Sequence, residues 1–156
     1  MLGTDSLIHD DLQQVCQNHG GYLPEPKDEN ENNFLNDLGT GAFLLGMTDT
    51  ATDGTWVWDS DGTEVTWSLW QPWGEPNGGD GESCVMMAKS WWDSYGGHNP
   101  RAWGDIACDF SAALINSRSV NLVCERNPGL FTLYHLVLLT DYLKSGYELV
   151  LLTDFL

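Results

Sequence analysis

The chain is predicted to be an α+β domain built on small antiparallel sheets. Three observations predict this. Two stretches of helical periodicity come first, short apolar runs follow, and polar Gly-rich loops separate those runs. With 156 residues and 42% hydrophobic content including eight Trp, one domain with a real core is expected.

Residues 7 to 19 read as the first helix. Ile8, Leu12, Val15 and Cys16 fall at i, i+4, i+7 and i+8, one face of a 3.6-residue period, and Gly20-Gly21 supplies the stop. A second helix is predicted from Asp28 to Leu38, with Phe34, Leu35 and Leu38 as its apolar edge and Gly39 ending it. Phe43-Leu44-Leu45-Gly46-Met47 then reads as a buried strand, and Asp49 to Gly54 as a polar turn. Trp56-Val57-Trp58, Asp59-Ser60-Asp61-Gly62 and Val65-Thr66-Trp67 read as a hairpin. Cys84 to Met87 and Val120 to Cys124 are further short strands.

Charge excludes some functions. Six basic residues face 23 acidic ones, a net charge of −17, which repels phosphate backbones and argues against nucleic acid as a partner. It favours cations and is compatible with neutral ligands such as sugars. No run reaches the roughly 18 apolar residues of a membrane span.

The four cysteines, Cys16, Cys84, Cys108 and Cys124, show no CxxC spacing, and the histidines are scattered. Structural zinc is disfavoured and two disulfides are expected, with three connectivities open. Disulfides imply an oxidising, extracellular or secreted setting. Met1-Leu2-Gly3-Thr4-Asp5 lacks the basic region and apolar run of a signal peptide, so the true N-terminus is expected upstream.

The chemistry concentrates between Trp73 and Val85. Glu75, Asn77 and Glu82 stand among glycines there, and Asp105 follows in Trp103-Gly104-Asp105. Oxygen-only groups on Gly-rich loops suit hard cations, calcium first. Glu75 and Glu82 form a carboxylate pair of the kind glycosidases use, but no Ser/His/Asp or Cys/His arrangement is visible and no catalytic residue is assigned. Trp56, Trp58, Trp67, Trp70 and Trp103 are assigned to the core. Trp91, Trp92, Tyr95 and His98 are assigned to packing rather than to stacking on a ligand.

Several motifs taken together resemble a C-type lectin domain. They are Val15-Cys16-Gln17-Asn18-His19-Gly20-Gly21-Tyr22-Leu23, Leu45-Gly46-Met47-Thr48-Asp49, Trp56-Val57-Trp58, Gly74-Glu75-Pro76-Asn77, Glu82-Ser83-Cys84-Val85, Trp103-Gly104-Asp105-Ile106-Ala107-Cys108 and Leu122-Val123-Cys124-Glu125. The resemblance covers residues 6 to 127 and places the domain there, short of the family's opening strand. It implies disulfides Cys16–Cys124 and Cys84–Cys108 and a cis bond before Pro76. It also implies a calcium ion held by Glu75, Asn77, Glu82 and Asp105, whose shell two sugar hydroxyls complete. Glu-Pro-Asn goes in the family with mannose, fucose or glucose, whose vicinal hydroxyls are equatorial, so glycans or glycoproteins are the implied partners, with oligomers adding avidity. Gly104 departs from the family's usual Asn and implies weaker binding of metal and sugar. An auxiliary calcium site would map to Asp49, Asp53, Gly78, Glu82 and Ser83, where two carboxylates are lost, so a strong site is not expected. A domain of this kind that recognises a protein or other surface without sugar is the alternative.

Residues 128 to 156 form an apolar tail without an assigned role. Leu136-Val137-Leu138-Leu139-Thr140-Asp141-Tyr142-Leu143 nearly repeats as Leu149-Val150-Leu151-Leu152-Thr153-Asp154-Phe155-Leu156, too few copies for a solenoid. Ala112 to Arg118 read as an insertion.

Overall fold

The computed structural model describes residues 6–38, 42–88, 99–111, 122–127 and 130–134. The expectations on Gly39, on Trp91, Trp92, Tyr95 and His98, on the 112–118 insertion and on the tail repeat lie outside the described residues.

The chain runs β1 (Ser6–Ile8), α1 (His9–Asn18), α2 (Glu29–Leu38), β2 (Ala42–Thr48), β3 (Val57–Trp58), β4 (Cys84–Ala88), β5 (Trp103–Ile106), β6 (Asp109–Ser111), β7 (Leu122–Asn127) and β8 (Leu130–Tyr134). The central sheet has the order β3-β2-β4-β5, antiparallel throughout, and two-stranded ladders β1-β6 and β7-β8 flank it. This is the expected α+β architecture. Leu130–Tyr134, inside the stretch assigned to the tail, pairs with β7.

The first helix begins two residues later than its periodicity suggests. Ser6–Ile8 pair with Asp109–Ser111, and the His9 N–H donates to the Cys108 carbonyl at 2.9 Å, so a ladder takes the backbone groups that a first helical turn would use. Leu12 and Cys16 face inward as read. The helix ends where Gly20 adopts φ 78°, with the Gly21 N–H returning to the Cys16 carbonyl at 2.9 Å. Helix α2 starts at an Asp28 cap, whose Oδ1 accepts the N–H groups of Asn30 (2.8 Å) and Glu31 (2.9 Å).

The inner face of α2 keeps Leu35 and Leu38 of its apolar reading but not Phe34. Asn32, Leu35 and Asn36 are buried, whereas Phe34 is 42% exposed. Asn32 turns inward because both its amide nitrogen and its carbonyl oxygen find partners there. Its Nδ2 donates to the Arg101 carbonyl at 3.0 Å and its Oδ1 accepts the Trp103 indole N–H at 2.7 Å.

Strand β2 is buried along most of its length, with β3 and β4 paired to its two edges and the Leu23–Glu25 segment packed against Gly46. Phe43, Leu45 and Met47 join Leu35, Trp56, Trp58, Val85, Met87, Trp103 and Val123 in one core. Gly46 is required there. A Cβ would sit 2.6 Å from the Leu23 carbonyl oxygen, and the Gly46 N–H donates to the Pro24 carbonyl at 2.8 Å. Trp67 and Trp70 close the core from the side, their rings 5.5 and 5.8 Å from that of Trp103 in edge-on contact. The second limb of the hairpin after β3 is reduced to one bridge, Val57 to Glu64.

The disulfides are Cys16–Cys124 and Cys84–Cys108. The first ties α1 to β7; the second ties the start of β4 to the turn after β5.

Candidate functional site

The loop from Gln71 to Ser83 lies over the end of β5. Buried Gln71 anchors it. Its N–H donates to the Trp103 carbonyl at 2.9 Å, its Nε2 donates to the Asn99 carbonyl at 2.7 Å, and its Oε1 accepts the Asn99 N–H at 3.1 Å. The Trp103 N–H in turn donates to the Leu69 carbonyl at 2.7 Å. A loop without periodic pattern is thereby held at a fixed place on the sheet.

Asp105, on β5 opposite Val85, is buried beneath this loop. Its carboxylate accepts the Asn77 N–H at 3.0 Å on both oxygens and the Gly78 N–H at 2.8 Å. The Glu75–Pro76 bond is cis. Glu75 Oε1 accepts the Trp73 indole N–H at 3.2 Å, while its Oε2 is buried and meets no donor among the described residues. The Asn77 side chain is exposed. The short 3₁₀ turn Gly79–Gly81 then brings Glu82 back under the loop. Gly78 is obligatory, because a Cβ there would overlap the Glu82 side chain.

The electrostatics follow from two carboxyl groups side by side. Burial pushes Glu75 up, and its hydrogen bond and repulsion with Asp105 push it further, to about 7. Burial also pushes Asp105 up, but hydrogen bonds from the Glu75 carboxyl and from the Gly78 and Asn77 amides outweigh it and hold Asp105 below its ordinary value. Burial raises Glu82, and the Asp105 charge adds to this. Of the two, Glu75 is therefore the one that takes up a proton as pH falls below about 7, and Asp105 the one that stays ionised. Two acceptors that face each other need either that proton or a cation.

Glu75, Asp105 and the Asn77 backbone are therefore in direct contact, and Glu82 lies within their electrostatic reach. The donor set is all oxygen, which fits calcium chemically. Yet among the described residues no three His, Cys, Asp or Glu side chains stand close enough together to ligate one metal ion. Of the auxiliary positions, Asp49 is buried and its Oδ2 accepts the Gly54 N–H at 2.8 Å, closing the turn as Asp does. Its Oδ1 is buried without a hydrogen-bond partner among the described residues, and Asp53 is exposed.

Sequence reasoning missed Trp73, the Gly78 amide and Gln71. Trp73 could have been found by its place two residues before Glu75. The other two act through backbone geometry or a long-range anchor, which no local spacing reveals.

The Lectin C-type domain profile matches residues 6–115. The chain belongs to the C-type lectin family. Over 106 residues it is 38% identical to lactose-binding lectin l-2 of Anguilla japonica, covering 64% of this chain and 58% of that protein. The chain spans less than two thirds of the length of the curated relatives it matches first. Two solved structures share the fold, each with a TM-score of 0.55. One is the cow C-type carbohydrate-recognition domain of CD23 in the presence of a GlcNAc2Man3 oligosaccharide, 28% identical, covering 70% of this chain and 77% of that one. The other is a calcium-independent type II antifreeze protein, 25% identical, covering 69% and 75%.

Proposed function

We propose that this C-type lectin domain binds carbohydrate through calcium held at Glu75, Asn77, Glu82 and Asp105. The observation that carries this reading is the apposition of Glu75 and Asp105 under the cis-proline loop, with Glu75 Oε2 buried and without a hydrogen-bond partner among the described residues. Two carboxylates in contact, one of them buried, repel unless a proton or a cation lies between them. Calcium, when bound, neutralises that repulsion and offers coordination positions to hydroxyl groups. The chain's own residues set selectivity. The Glu75 carboxylate can only accept hydrogen bonds, and the exposed Asn77 carboxamide can donate, so a sugar presenting a donor to one and an acceptor to the other is favoured. The order Glu-Pro-Asn, with the family resemblance, supports mannose, fucose or glucose. Glycoproteins are then the natural partners, outside the cell.

The second reading, a domain of this fold that contacts a protein or other surface without sugar, is favoured by Gly104. It puts no side-chain oxygen where the family usually has Asn. The antifreeze neighbour is described as calcium-independent, so the fold tolerates loss of the metal.

The thermal midpoint with calcium and with chelator decides between them. Calcium at 100 times its Kd is expected to add about 2.7 kcal/mol of stability, and Asp105→Asn to abolish that gain along with retention on mannose resin. An unchanged midpoint ends the calcium mechanism. A rise without retention on mannose supports the second reading.

A further inference from the structure

A glutamate carboxylate turns readily about its last side-chain bond, because that torsion is broad and roughly two-fold. The covalent chain therefore does not decide which oxygen of Glu75 a cation would meet. Asp105 is fixed by the backbone amides of Asn77 and Gly78, whereas Glu75 receives no backbone donor among the described residues. Its Oε1 is held instead by the Trp73 indole N–H at 3.2 Å, and its Oε2 is buried without a hydrogen-bond partner among the described residues. Three features of the loop keep Trp73 where it makes this contact. Buried Gln71, two residues earlier, is tied to Asn99 and Trp103. Pro72 has a fixed φ. Gly74 adopts φ 114°, a conformation that residues with a Cβ rarely take, and across it the side chains of Trp73 and Glu75 meet. Trp73 is half-buried and stands outside the core that Trp56, Trp58 and Trp103 build and that Trp67 and Trp70 pack against.

Resting on the calcium reading above, we propose that Trp73 is a positioning residue of the site: its indole N–H holds Oε1 of Glu75 and so presents Oε2 to the cation. In this role Trp73 touches neither cation nor sugar and acts through Glu75. An indole N–H can only donate, so it stabilises the ionised carboxylate and cannot itself ligate a metal. It works against burial and the neighbouring Asp105, which push the Glu75 carboxyl up. A carboxylate fixed before the ion arrives also avoids the cost of ordering a flexible side chain on binding. Partners of this kind behind a metal ligand are typically worth about 10–100-fold in affinity.

Two measurements on the full chain test this. Calcium titration calorimetry compares the parent with Trp73→Phe, which keeps an aromatic ring and removes the donor. The variant is expected to bind calcium about tenfold more weakly. The second measurement needs no calcium and no Trp73 variant. In chelator, the indole N–H signals of the eight Trp are followed by NMR in the parent and in Glu75→Gln. The Trp73 signal is expected to move more than the other seven, because its acceptor loses its charge. It should also move when calcium is added to the parent. Calcium affinity within twofold of the parent in Trp73→Phe would overturn the positioning role and leave the calcium reading standing. A parent that binds no calcium would end both. Weaker calcium binding in Trp73→Phe with a Trp73 signal that ignores Glu75→Gln would assign the loss to packing and also overturn the proposal. Should Trp73→Phe fail to fold, the response of that signal to Glu75→Gln and to calcium decides, and a signal that moves with neither sinks the proposal.

Discussion

At the scale of single residues, the chemistry turns on which oxygen finds a donor. Asp105 collects backbone amides from Asn77 and Gly78 and is held below its ordinary pKa; Glu75, which among the described residues has only the Trp73 indole on one oxygen, is pushed up to about 7. The consequence for stability has a definite sign. Glu75 titrates near 4.5 when unfolded and at about 7 when folded and calcium-free. Between those values the folded chain holds a proton that the unfolded chain has released. The contribution of Glu75 is therefore intact at low pH and lost as pH rises through that window. Denaturant unfolding in chelator should show stability falling from pH 4.5 to 7. Glu75→Gln should flatten the slope without abolishing it, because Glu25 and Glu82 are shifted the same way by burial. A slope unchanged in Glu75→Gln would refute proton uptake by Glu75. Calcium needs the deprotonated carboxylates, so its affinity should rise over the same range.

Among the elements, the strands place the site and the glycines let them come close. The Leu23–Glu25 segment can pack against strand β2 only because residue 46 is a glycine. Gly46→Ala is expected to cost about 1–3 kcal/mol, the range for forcing extra volume into a packed interior. A urea denaturation midpoint within error of the parent would show that the segment moves aside freely. Helix α2 has the complementary arrangement. Its buried Asn32 ties the helix to β5 through the Trp103 indole, one residue removed from Gly104 and two from Asp105. Packing of the helix is thus coupled to the site through hydrogen bonds as well as through Leu35 and Leu38 of its apolar edge.

For the molecule as a whole, two covalent links hold ends that secondary structure does not. Cys16–Cys124 spans 108 residues and Cys84–Cys108 spans 24. The chain-entropy account assigns the longer loop about 4–5 kcal/mol and the shorter about 3 kcal/mol. Replacing each pair by serine should therefore lower the thermal midpoint more for Cys16/Cys124. The Cys84/Cys108 pair, which borders the binding loop, should cost ligand binding disproportionately to stability. Reversed rankings in calorimetry and binding would contradict this division. The described parts form one connected structure, in which the core aromatic residues around Trp103 support the loop that carries Glu75.

Local pattern decided what local physics can encode. Period 3.6 marked the Leu12 and Cys16 face, turn chemistry marked Asp49 to Gly54, and a run of apolar residues marked β2, because each depends on neighbours a few positions apart. The disulfide pairing and the cis bond before Pro76 were legible only through several motifs in order, a resemblance rather than a derivation, and the proposed calcium ligands rest on the same resemblance. The tertiary structure alone decided the rest. Asp105 meets the amides of Asn77 and Gly78 across 28 and 27 residues because the β4-β5 register and the Gln71 anchor bring them together. The burial of Asn32 in place of Phe34 depends on where the Trp103 indole falls, and the pairing of His9 with Asp59 on the fold that joins α1 to the β3 turn. Contacts of this reach are chosen by packing and by satisfaction of buried polar groups, which no spacing within one segment records.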